Sequence, residues 1–209
     1  MKIYFSTSAT NALENKANNL DKLDTIVKHL EKKGHTINRR TMLIGHDSST
    51  AEQRVEIAKF FDYIDGNTDD IYKSNIHKIK TSDIAIFEST YPAEGIGYEI
   101  GYAISQKKPV LILIDKTYKT FLAEMIEGIP TTLKQLVYYE NNAALSGILD
   151  KFIEKAKTLI DSKFILIISP EIDRYFEWSK KNKRLHKAQV VRDAVFKQME
   201  NDPDWQKIS

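Results

Sequence analysis

Short apolar runs without polar alternation recur along the chain. Residues 83–88 and 109–115, rich in Ile and Val, read as strands covered on both faces, since a half-exposed strand alternates apolar and polar positions. Residues 2–5 read as a first strand, with further ones at 36–44 and 136–139. Between them apolar residues return at helical spacing over 20–33, 51–63, 69–80, 97–106 and 143–160. Gly34, directly after Lys32 and Lys33, is a helix stop. Strands alternating with helices predict a parallel sheet with helices on both faces and right-handed crossovers.

After residue 162 the pattern changes. Residues 163–169 form an apolar run. Ser169 then caps a helix with Pro170 at its first position, expected to reach about residue 182. A second helix is predicted from about 186 to 200, with Ala188, Val191, Ala194, Val195 and Met199 at helical spacing. Strand, helix and helix in so few residues cannot bury a sufficient core alone; they must pair with a second copy or pack on the body, and pairing is favoured. The expected organisation is therefore an α/β domain over 1–162 and a dimerisation module over 163–209.

Composition narrows the class. Of the 209 residues 42% are hydrophobic and 10% aromatic, which suits a folded core and not a disordered chain. No apolar run approaches a membrane span, and the first residues lack a signal-peptide apolar region. There is no cysteine, which excludes disulfides, thiolate nucleophiles and Cys-ligated metals. A cytoplasmic protein is expected. Net charge is +2, but residues 163–209 carry 10 Lys and Arg against 7 Asp and Glu, while 1–162 carry 21 against 22. Only the tail is basic, through Lys180, Lys181, Lys183, Arg184 and Lys187. That cluster reads as a solvated helix end or as a phosphate-contacting patch. His29, His35, His46, His77 and His186 show no metal-ligand spacing. The histidines read as ordinary surface or partly buried residues; His46 and Asp47, in a loop after a predicted strand, are within reach of a crevice but are not taken as site residues. Neither a metal nor a cofactor is expected.

One stretch carries candidate chemistry. Gly95, Gly97, Tyr98, Glu99, Gly101, Tyr102 and Ala103 open a predicted helix at the end of a buried strand, where crevices of open α/β sheets lie. Glu99 reads as a ligand-facing carboxylate, with a capping-box glutamate as the alternative; that box needs Ser or Thr three residues earlier, where Ile96 stands. Glycines allow close approach of backbone and ligand, and a helix N-terminus favours a charged carboxylate.

With Ser82, Asp83, Lys108, Pro109, Val110 and the opening Lys2, Ile3, Tyr4 and Phe5, this stretch resembles the nucleoside 2-deoxyribosyltransferase superfamily. It is most similar to the 2'-deoxynucleoside 5'-phosphate N-hydrolase branch. The resemblance covers roughly 1–140 and implies a Rossmann- or flavodoxin-like sheet. It also implies Glu99 as the nucleophile that attacks an anomeric carbon, displaces a base and leaves a covalent deoxyribosyl-enzyme. Asp83 is carried over as a second catalytic candidate, with an Asp capping a turn as the alternative. Tyr4, Ser6, Thr7, Ser8, Asn75, Gly95, Gly97, Tyr98 and Tyr102 are carried over as substrate-binding candidates. Three positions depart from the family pattern. Asn75 stands where an aspartate handles the proton of the leaving base, and an amide is no general acid. Ala93, followed by Glu94, replaces a phosphate-holding serine, and Ser6 to Asn11 replace a Gly- and Arg-containing phosphate loop. Either the substrate is not an ordinary deoxynucleotide, or a ligand is bound without turnover.

Residues 163–202 resemble a ribbon-helix-helix module through Pro170, Glu171 and Ile172 and through Lys187 to Arg192. In that family paired strands enter the DNA major groove. Here the outward ribbon positions Phe164, Leu166 and Ile168 are apolar, unlike base readers. Dimerisation is the expectation, with DNA contact through Lys187 and Arg192 as the alternative. Two functions follow: N-glycosidic cleavage or deoxyribosyl transfer on a nucleoside or nucleotide, or a nucleotide-sensing body joined to a DNA- or partner-binding tail. No membrane partner is expected.

Overall fold

A computed structural model describes residues 1–8, 16–44, 50–91, 93–118, 122–160 and 166–207. It divides into two compact units, Met1–Asp161 and Ser162–Ser209.

The first unit runs β1 (Lys2–Thr7), α1 (Lys16–Lys32), β2 (Thr36–Leu43), α2 (Ala51–Ile57), β3 (Phe61–Ile64), α3 (Thr68–Thr81), β4 (Ile84–Glu88), α4 (Glu94–Ser105), β5 (Val110–Asp115), α5 (Glu124–Glu127), β6 (Lys134–Tyr139) and α6 (Asn142–Leu159). The six strands form one parallel sheet in the order β3-β2-β1-β4-β5-β6. Every residue of β4 and β5 is buried, as their unbroken apolar runs require. Alternate strand residues feed two cores. Ile3, Phe5, Ile84, Ile86, Leu111 and Leu113 pack with α1 and α6. Tyr4, Ala85, Phe87, Val110, Ile112 and Ile114 pack with α3 and α4. The order reverses between β1 and β4, so the crevice at their carboxyl ends is the place where such sheets take ligands.

Two expectations need correction, and one element is additional. The helix expected over 51–63 stops at Ile57, and Phe61–Ile64 is an edge strand. The reason is tertiary: Arg40 to Leu43 pair with Phe61 to Ile64, and Phe60 and Phe61 are buried, so sheet pairing overrides helical spacing. The short α5 was not foreseen. Residues 166–169, the described part of the expected ribbon, are not a strand, because a strand needs a ladder partner and these have none among the described residues of the single chain. Residues 163–165 lie outside the described residues.

In the second unit Ser169 caps α7 (Pro170–Lys183) by accepting from the Ile172 N–H, as expected, and α8 (Lys187–Glu200) follows. No helix among the described residues is long and apolar enough to cross a membrane.

Candidate active site

Glu99 lies on the first turns of α4, on the face turned to the sheet, and is only 4% exposed. Ala93 at the N-cap makes no side-chain cap, so Glu99 is free of a capping role. Its carboxylate is held from two strands. Ser6 Oγ, near the carboxyl end of β1, donates to Oε2 at 2.7 Å. Arg40, on β2, places Nε 3.1 Å from Oε1, an ion pair whose N–H is not aligned as a hydrogen bond. The Tyr4 hydroxyl is fully buried beside the carboxylate, without a well-formed hydrogen bond. Burial pushes the Glu99 carboxyl above the usual carboxylate range, against the opposing pull of Arg40, Ser6 and Tyr4. The Tyr4 phenol is raised well above its ordinary value by burial and then by the Glu99 charge.

Several expected residues gather here. Ser6, Thr7 and Ser8 are all buried at the end of β1. The Thr7 carbonyl accepts from Arg40 Nη1 at 3.4 Å, and Ser8 Oγ reaches the Tyr91 carbonyl at 3.5 Å. Gly95 faces Arg40 so closely that a Cβ would stand 2.5 Å from Nη2. The absent side chain makes room for the guanidinium.

Others do not gather here. Asp83 sits at the amino end of β4, where it accepts from the Lys2 backbone N–H at 2.7 Å. Ser6 is four residues further along β1, on the order of 13 Å away, so Asp83 is a structural tie at the amino ends of the strands, opposite the Glu99 end. Tyr98 is half exposed, with its hydroxyl 3.3 Å from that of Tyr72, and its ring stacks on Tyr102. Helical rotation carries Tyr98 away from Glu99, toward Tyr72 on α3, whereas Tyr102, three residues after Glu99, lies on an adjoining part of the helix surface without a contact to the carboxylate among those that hold it. Gly97 faces Ile126, on the flank of α4 where an apolar cavity of about 310 Å³ is lined by Ser89, Ala93, Ile96, Leu122 and Ile126. Glu99 does not line that cavity. Asn75 is buried, but its amide clips β2: Oδ1 accepts from the Thr41 N–H at 2.7 Å and Nδ2 donates to the Thr41 carbonyl at 3.1 Å. Thr10, Asn11, His46 and Asp47 lie outside the described residues. Among the described residues no group of three His, Cys, Asp or Glu could hold a metal ion.

Arg40 is the residue that sequence reasoning missed. The one signal was a pair of arginines within a strand pattern. Neighbouring strand residues face opposite ways, so Arg39 goes to Glu31 at 2.7 Å and Arg40 to Glu99. A second polar cluster lies at the ends of β4, β5 and β6. Glu88 accepts from Tyr139 Oη at 2.9 Å and from Thr90, and Lys22 pairs with Asp115.

The nucleoside 2-deoxyribosyltransferase family model matches residues 3–161, which takes in the sheet from Ile3 onward and Glu99. The chain belongs to the nucleoside 2-deoxyribosyltransferase family. Within the family it is 36% identical over 84 residues to a putative 2'-deoxynucleoside 5'-phosphate N-hydrolase 1 of Methanosarcina mazei, covering 40% of this chain and 51% of that protein. A 5-hydroxymethyl-dUMP N-hydrolase of Branchiostoma floridae is 29% identical over 97 residues, covering 46% of this chain and 92% of that protein. The chain thus spans about half the length of the Methanosarcina relative. The solution structure of BlsM shares the fold, with a TM-score of 0.55 at 16% identity over 79% of this chain and 97% of that one.

Proposed function

We propose that the α/β unit cleaves the N-glycosidic bond of a nucleoside or nucleotide, passing the sugar to water or to a second base, with Glu99 as nucleophile. The carrying observation is a buried carboxylate, engaged at both oxygens, at the β1–β4 switch point. Family membership and relatives named as nucleotide N-hydrolases support the reading.

In this reading a carboxylate oxygen of Glu99 attacks the anomeric carbon as the carbon–nitrogen bond breaks. The electron pair leaves with the base, which takes its proton from water, since the Asn75 amide is no acid and is bonded to Thr41. The resulting sugar ester is opened by water or by the nitrogen of a second base, which restores the carboxylate. Ser6 and Arg40 fix the nucleophile before attack, which lowers the entropic part of the barrier. The test is release of free base from a panel of nucleosides and nucleotides. Wild type should release base from at least one member, and Glu99→Gln should be slower by roughly a thousandfold or more. No release from any member, or equal release by the variant, removes the reading.

The fixed Asn75 amide also favours a second reading, a body that binds a nucleotide without turnover. Calorimetric binding with no base release selects it. For the C-terminal unit, residues 163–209, the proposal is self-association. Lys187 is held by Asp173 at 2.6 Å and Glu177 at 3.2 Å, which weakens it as a phosphate contact. Arg192 is exposed and keeps DNA contact as the alternative.

A further inference from the structure

Arg40 is set opposite Glu99 by more than the reach of a long side chain. The backbone on both sides of it is tied to α3. Lys78 Nζ donates to the Arg39 carbonyl at 2.9 Å, and Asn75 brackets Thr41 at both its N–H and its carbonyl. The guanidinium is then steered by the Thr7 carbonyl and fits the space that Gly95 leaves open. Three groups face the carboxylate from the neighbouring strands: Tyr4 and Ser6 from β1 and Arg40 from β2. Of these three, Arg40 alone carries a positive charge.

We propose that Arg40 is the positioning residue of this site: it keeps the Glu99 carboxylate charged and turned toward the end of β1, with Asn75 and Lys78 holding Arg40 itself in place. A carboxylate this buried without a cation would take up a proton and lose its nucleophilicity. The arrangement also gives the Asn75 position a purpose other than acid catalysis, since its amide anchors the strand that delivers the cation. The catalytic meaning of the pair rests on the function proposed above; the pairing does not.

The test is a titration of the full chain labelled with carbon-13 at glutamate carboxyls, with Glu99→Gln identifying the resonance. Arg40→Met removes the charge and keeps the stem. It should raise the Glu99 midpoint by about one pH unit or more. Arg40→Lys, which restores charge without the planar fork, should fall between Met and wild type. In base release the same variants should lower kcat with KM near wild type. An unchanged midpoint in folded Arg40→Met overturns the proposal. If that variant does not fold, Gly95→Ala takes its place, because it pushes the guanidinium aside without deleting it. The midpoint should rise there too, and an unchanged one overturns the proposal in the same way. A shifted midpoint without base release by wild type removes the proposed function and leaves the pairing standing.

Discussion

Glu99 owes its properties to two opposed effects, burial raising its pKa and the Arg40, Ser6 and Tyr4 contacts lowering it, with burial prevailing. Attack requires the charged form, so the acid limb of the pH–rate profile should lie above the ordinary glutamate value of about 4.3. Ser6→Ala removes a donor to the charged form. It should slow base release about tenfold and move the limb further up; a limb at the ordinary value in wild type contradicts the assignment. Because the folded value is raised, Glu99 favours the folded state below the unfolded carboxylate pKa, and this contribution is lost as pH rises through the folded value. Asp115 behaves oppositely: burial raises it, but Lys22 and Thr117 outweigh burial and depress it, so its contribution is lost in acid. Glu99 could be singled out as a candidate in the sequence because Ile96 stands where a capping box needs Ser or Thr and because of its glycine–tyrosine setting. Arg40 could not, because its partner lies on a distant helix and no local pattern records a contact across the sheet.

At the scale of elements, two glycines on α4 make a controlled pair. A side-chain carbon at Gly101 would meet nothing within 4 Å, whereas one at Gly95 would meet Arg40. Gly101→Ala should stabilise the protein by roughly 0.5–1 kcal/mol through helix propensity, with base release intact. Gly95→Ala should remain folded, since the clashing atom ends a flexible side chain, but should lose activity. Equal behaviour of the two in thermal melts and assays would contradict the placement of Arg40. Asn75 ties α3 to β2, and Asn75→Asp replaces the donor to the Thr41 carbonyl with an acceptor. A cost of about 1–3 kcal/mol in urea unfolding is expected, with no gain in base release. The buried strands β4 and β5 could be read from their apolar runs. β3 could not, because the spacing over residues 51–63 suits a helix and only pairing with β2 decides for an edge strand. Asp83 differs from its expected place for a related reason: a residue flanking a strand is visible in sequence, but whether it stands at the end that carries the candidate site depends on strand direction.

For the whole molecule, alternation of strands and helices was enough to predict the parallel sheet, and its order puts the topological switch point between β1 and β4. The C-terminal unit is different. Its helices were legible from Ser169, Pro170 and their apolar spacing, yet Ile167, Trp178 and Phe196 are left exposed, and the expected ribbon has no strand over 166–169. A ribbon strand is completed by a second copy. Light scattering should therefore return an even number of chains, and a monomer at micromolar concentration would remove the dimerisation proposal. The most direct test of Glu99 as nucleophile is to quench the protein during reaction with a nucleotide that it turns over and to map any sugar adduct by mass spectrometry. The account predicts a glycosyl ester on the peptide that carries Glu99, absent in Glu99→Gln; base release that proceeds at the wild-type rate in that variant, with no adduct in either protein, would contradict it.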